Sequence, residues 1–159
     1  MSKIYGNFVG GRAAIGLLIV RLVFGLGIMM HGGHKIVHPF NWMGENAPVP
    51  AILQALAALS EFGGGLALIL GLLTPLAMLG LASTMFVAIA TVHLPSGHPF
   101  VGQPGSPSFE PAALYLAVAL MSIITGPGSL SLDAIIFGDK TRTSKPNSNL
   151  SPNESLQSA

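Results

Sequence analysis

A single carboxylate, Glu61, stands inside the apolar, glycine-rich run SEFGGGLALILGLLTP at 60–75, and no further Asp, Glu, Lys or Arg follows until Glu110. A passage of this kind belongs in lipid, where an ionisable group costs about 2.5 kcal/mol or more and normally faces a partner or a cavity. The first apolar run, at 13–30, also carries one charge, Arg21. At 1.5 Å per residue Arg21 lies roughly 12 Å from one membrane face, and Glu61, in a helix running the other way, roughly 15 Å from the opposite face. Both depths fall near the middle of a hydrocarbon core about 30 Å thick. The expectation is a buried Arg21–Glu61 ion pair across two antiparallel helices, or a polar pocket that the two residues line.

Histidine supplies the second set of candidate groups. His31, His34 and His38 follow the first apolar run and His93 ends the third, so all of these are expected at one end of the molecule. His34 and His38, spaced i and i+4, could share a metal, and His31 or His34 with His93 could ligate a b-type haem between helices. Against this, interfacial histidines are often merely solvated, and there is no HExxH and no acidic third ligand at a recognisable spacing. No metal site is therefore assigned. Lys35 joins these candidates because Arg21, Gly25, Ile28, Gly32 and Lys35 fall within about 40° of one another on a helix advancing 100° per residue. That face, polar or small, is suited to packing against other helices.

The elements that must hold these residues are membrane spans. Half of the 159 residues are hydrophobic and only 8% are charged, where a soluble domain carries about 25%. Mean hydropathy is +0.65. The first helix is expected from 13 to about 33, too long for a signal peptide. Trp42 and Phe40 suit the headgroup level, and Pro48 and Pro50 mark entry to a second helix at about 51–73. There Gly63, Ala67 and Gly71 form a four-residue small stripe. Thr74 and Pro75 make a short turn into a third helix at 76–94, antiparallel to the second. A proline- and glycine-rich loop of about sixteen residues leads to a fourth helix at 111–125. After the GPG at 126–128, Ser129 or Ser131 precedes Asp133 and an apolar run, the pattern of a short capped helix at the membrane surface.

The fold class expected is all-α: a four-transmembrane-helix antiparallel bundle with a short C-terminal interfacial helix. Its domains read as a cytoplasmic N-terminal segment at 1–12, the membrane domain at 13–138 and a disordered cytoplasmic tail at 139–159. Lys3, Arg12, Lys140, Arg142 and Lys145 flank one side against Lys35 on the other, which makes both termini cytoplasmic. A net charge of +1 gives no argument for nucleic acid, and the lack of cysteine excludes disulfides and thiol chemistry. The glycines at 63–65 are not a phosphate loop, since no Lys-Ser/Thr follows them.

HGGHK at 31–35, E-x-G-G-G-x-x-L-x-x-G-L-x-T at 61–74 and GPGSLSLD at 126–133 together resemble the DoxX family over roughly residues 13–137. The resemblance implies a bacterial-type inner-membrane protein, with relatives described as accessory or quinone-linked subunits of membrane oxidoreductases, among them a thiosulfate to quinone system. It implies Arg21, His31, Lys35, Glu61 and Asp133 as the family's polar residues, with quinone as the cofactor to consider; b-type haem, which rests on the histidines alone, stands behind it. Its partners would be the lipid bilayer, a quinone and a redox partner protein. Without cysteine this chain has no sulfur to carry a persulfide. Two function classes result: a quinone- or redox-associated accessory subunit, or a non-enzymatic carrier or scaffold for a small molecule or partner protein. In the first, Glu61 would exchange a proton with a quinol or accept a hydrogen bond from it.

Overall fold

The computed structural model describes residues 8–45, 47 and 49–138. The tail at 139–159, Pro48 and most of the N-terminal segment lie outside the described residues. Those described are all helical apart from turns and loops, with no strand among them. Helix α1 spans Gly11–Val37, α2 Ala51–Leu70, α3 Thr74–Ala88, α4 Glu110–Thr125 and α5 Leu132–Phe137. Helix α3 continues as a wider π-helical turn over Ile89–His93. Three segments are long and apolar enough to cross a membrane: α1, α2 and Thr74–His93. Helix α4, with 16 residues, is the shorter fourth member.

The α2–α3 link is too short for a crossover, so these two helices are antiparallel. The α2–α3 link is only Gly71–Leu73, with Gly71 left-handed at φ 62° to end α2 and Leu73 left-handed at φ 47° to begin α3. Helix α1 packs chiefly on α2, α3 packs on both α2 and α4, and α4 returns to touch α1. The interior holds Ile28, Leu68, Met78, Leu81, Met85 and Ala119. Large apolar side chains point outward instead, Ile124 at 84% exposure and Leu76 at 68% among them. Large apolar side chains outside as well as inside, with glycine where α1 and α2 touch, is the pattern of a bundle whose solvent is lipid, where close packing rather than exclusion of water joins the helices.

The face of α1 anticipated from its periodicity is the buried one: Arg21, Gly25, Ile28 and Gly32 all lie inside. The small stripe of α2 is different from the anticipated one. Gly64 and Gly65 are its buried glycines, whereas Gly63 is only half-buried and a methyl group there would meet nothing but Leu59. Helix α1 also runs four residues past the expected end at about 33, because nothing in GGHKIV lacks a backbone donor and the first proline is Pro39. Ser131 caps α5, its hydroxyl accepting from the Ala134 amide at 3.1 Å.

Candidate functional site

Glycine contacts set how α1 and α2 slide past each other. A Cβ on Gly65 would lie 2.7 Å from the Gly25 carbonyl oxygen and 2.8 Å from the Met29 nitrogen, and one on Gly32 would lie 2.5 Å from the Phe62 nitrogen. Only glycine permits this approach of two backbones. With Gly25 beside Gly65, Arg21 comes level with Leu68 and Ile69; with Gly32 beside Glu61 and Phe62, Lys35 about one turn on comes within reach of Glu61.

The expected Arg21–Glu61 ion pair is therefore not formed. Arg21 meets α2 seven and eight positions beyond Glu61, roughly 11 Å further along the axis. The depth estimate assumed that both helices begin at the membrane faces, but the glycine contacts determine the register and displace them. Buried at 3% exposure, Arg21 spends its donors on backbone. Nε donates to the Leu68 carbonyl and Nη2 to that of Ile69, both at 2.8 Å, while Nη1 donates to Pro127 at 3.0 Å and Leu130 at 2.8 Å. Leu68 and Ile69 belong to the last turn of α2, whose carbonyls form the negative end of the helix dipole; that of Leu68 also accepts the Gly71 amide at 3.2 Å. A delocalised guanidinium with donors in a fixed fork suits that place.

Asp133 works at the same end. Fully buried, it accepts from the Leu73 amide at 2.7 Å and the Thr74 amide at 2.9 Å, and its own amide donates to the Gly71 carbonyl at 2.8 Å. Its carboxylate thus satisfies the first free amides of α3, a capping role supplied from a distant helix. Arg21 and Asp133 close the turn end of the bundle and are built into its backbone.

Glu61 finds its cation at the other end of α1. Lys35 Nζ lies 2.7 Å from both carboxylate oxygens, with the side chains 17% and 5% exposed, and this is the only salt bridge among the described residues. The ammonium also sits 4.5 Å from the centroid of the Trp42 ring, a cation–π contact. Trp42 is held by its indole N–H, which donates to the Gln54 carbonyl at 2.9 Å. Gln54, buried in α2, accepts from the Met43 amide at 3.1 Å and donates to the Val49 carbonyl at 2.9 Å. It folds the α1–α2 loop over the ion pair. Sequence reasoning passed over Gln54, although it is the one side-chain amide in the second apolar run.

From this pair a groove of about 660 Å³ runs down between α2 and α3. Lys35, Glu61, Trp42 and Gln54 border it, Gly64, Ala77 and Gly80 line it further along, and the rest of the lining is mainly aliphatic. Ser60 and Thr84 meet across it at 2.6 Å between their hydroxyls. Arg21, expected to pair with Glu61 or to line a polar pocket with it, lies outside this lining, as do His31 and His93.

The histidines divide among different neighbours instead of converging. His31 sets its ring edge-on to Tyr115 at 5.9 Å. His34 and His38 border a smaller cavity of about 430 Å³ with Asn41 and Trp42. His93 turns to His98, their Nδ1 atoms 3.1 Å apart. No group of three or more His, Cys, Asp or Glu side chains among the described residues is placed to hold a metal. His98 was not foreseen, because the turn at 94–97 that brings it back to His93 lies in a stretch read only as a proline- and glycine-rich loop.

The DoxX family model matches residues 16–94. That segment contains most of α1, all of α2 and α3 and the Lys35–Glu61 pair, and it ends before the GPGSLSLD motif that fastens the turn end. No curated protein and no solved structure matches the chain. With the family match over the helices that carry the groove, and with apolar helices long enough to span a bilayer, the chain is a multi-pass membrane protein of the DoxX family.

Proposed function

We propose that the groove between α2 and α3 binds an elongated, uncharged amphiphile of the quinone class, and that the protein serves as a quinone- or redox-associated accessory subunit of a membrane oxidoreductase system. The observation that carries this reading is the neutral Lys35–Glu61 pair bordering an otherwise apolar groove. Its volume falls within the about 300–1,000 Å³ of ordinary small-molecule sites. An aliphatic tail matches the walls. At the polar border Lys35 is placed to donate to a ring carbonyl and Glu61 to accept from a ring hydroxyl. Because the two charges already cancel, a neutral head disturbs the pair less than an ionic one.

Photolabelling in mild detergent with an azido-quinone tests the reading. Label should fall on α2 and α3, be displaced by unmodified quinone, and drop in Glu61→Gln and in Gly80→Phe, which fills the groove. Labelling that unmodified quinone does not compete away leaves the carrier or scaffold alternative in its place.

The orientation belongs to the same proposal: a bacterial-type inner membrane, with both termini cytoplasmic and the 94–109 loop outside. Five cationic residues on one side against Lys35 on the other support it. A reporter fused after Lys145 that is active only in the periplasm contradicts it.

A further inference from the structure

We propose that His93 and His98 form a two-histidine site for a late first-row divalent cation, Zn²⁺ or Cu²⁺, at the loop end of α3, separate from the α2–α3 groove. Three features of the chain converge on it. The first is the distance: the two Nδ1 atoms stand 3.1 Å apart with ring centroids at 5.2 Å and ring planes at 64°. Two imidazole nitrogens bound at about 2.0–2.1 Å to one tetrahedral ion are separated by about 3.4 Å. The observed pair is thus within a few tenths of an ångström of a ligand pair. Two Nδ1 atoms in this contact can share one proton between them, since one must donate and the other accept. A cation that takes both Nδ1 lone pairs displaces that proton to the donor ring's own Nε2, which leaves two neutral imidazole ligands.

The second feature is the backbone that holds the rings there. The α3 helix widens at Ile89–His93, where the Leu94 amide donates to the Ile89 carbonyl at 2.9 Å. The chain then curls back through Ser96 to Val92 at 3.2 Å and Gly97 to Leu94 at 3.0 Å, with Gly97 left-handed at φ 67°. The His98 amide finally donates to the carbonyl of His93 itself at 3.1 Å. Each ring therefore hangs from a backbone tied to the other. Single π-helical turns inside α-helices frequently mark functional sites, and here the turn at 94–97 that follows one brings residue 98 back to face residue 93.

The third feature is access. Both side chains are only half-buried, at the end of a membrane helix and the start of a loop, so water can complete the coordination shell. Imidazole donors without thiolate or carboxylate favour copper and zinc over magnesium or calcium.

The test uses full-length protein without a histidine tag, purified in mild detergent, titrated calorimetrically with Zn²⁺, Cu²⁺ and, as control, Mg²⁺. The expected result is one equivalent of Zn²⁺ or Cu²⁺ and no Mg²⁺. Affinity should fall at least tenfold in His98→Gln and in His93→Gln and stay within twofold in the His34→Gln/His38→Gln double variant. The electron paramagnetic resonance spectrum of the Cu²⁺ form should show two nitrogen ligands, reduced to one in His98→Gln. His98 lies in the loop, so its variant keeps the helices, and an unchanged melting temperature without metal verifies this. Absence of Zn²⁺ and Cu²⁺ uptake by the wild type, uptake that survives His98→Gln, or uptake lost only with His34 and His38 each overturns the assignment.

Discussion

Lys35 and Glu61 close on each other with the ammonium 2.7 Å from both carboxylate oxygens, under the face of Trp42. Removing either partner leaves a charge in a site built for a pair. Lys35→Met and Glu61→Gln should each destabilise the protein, Lys35→Met the more, on the order of 3 kcal/mol. The double variant should lose less than the sum by at least about 1 kcal/mol. Unfolding curves in detergent check this, and strictly additive losses count against the pair.

Arg21 should behave independently of Glu61. Arg21→Met removes donors from four carbonyls, a loss on the order of 3 kcal/mol at about 1.5 kcal/mol or more for each charged hydrogen bond, discounted for non-additivity. Arg21→Lys should recover little, because one ammonium cannot reach all four acceptors. Combined with Glu61→Gln, the effect should add within about 0.5 kcal/mol, as for separate sites. A large coupling energy between Arg21 and Glu61 is the outcome that contradicts the observed register.

Much of this was legible in sequence and some was not, for physical reasons that differ by residue. The spans, the buried face of α1, the Ser131 cap and a tight α2–α3 turn are local properties, set by hydropathy, periodicity and capping chemistry within a few residues, although the turn is Gly71–Leu73 and not the expected Thr74 and Pro75. Which residue of α1 lies opposite which of α2 is not local. Gly63, Gly64 and Gly65 offer three neighbouring registers, and each step moves the contact about 1.5 Å and 100°. Arg21 was harder still, because its partners are carbonyl oxygens, which every residue carries and no residue type announces. The groove follows from how α2 and α3 diverge, which depends on the same tertiary contacts.

Glycine substitutions should separate these registers. Gly65→Ala puts a methyl group within 2.9 Å of backbone or Cβ atoms of Gly25 and Met29, none of which is a flexible chain end. It should destabilise by about 1–3 kcal/mol through overpacking. Gly33→Ala, in the same bundle, meets nothing within 4 Å and should be neutral or stabilising by up to about 1 kcal/mol from helix propensity. Equal effects in a thermal melt would show that α1 and α2 do not approach through Gly65.

Asp133→Ala should free the Leu73 and Thr74 amides that its oxygens hold, at about 1–2 kcal/mol, the range for a lost helix cap. Asp133→Asn should fall between, since its amide group turns a donor toward a donor. Hydrogen exchange at these two amides is the direct measure: it should accelerate in both variants, and unchanged protection removes Asp133 from the capping role.

Synthesis order gives that cap a further meaning. Leu73 and Thr74 emerge from the ribosome about sixty residues before the Asp133 carboxylate that receives their amides. Two of the four carbonyls that receive Arg21, those of Pro127 and Leu130, are likewise made more than one hundred residues after it. The α2–α3 hairpin therefore enters the bilayer with its turn unfinished and Leu73 in a backbone region costly for a bulky side chain. It reaches its final form only when α5 has docked, so a nascent chain cut short before Ser131 carries α1 to α4 and still lacks the fastening of the α2–α3 turn.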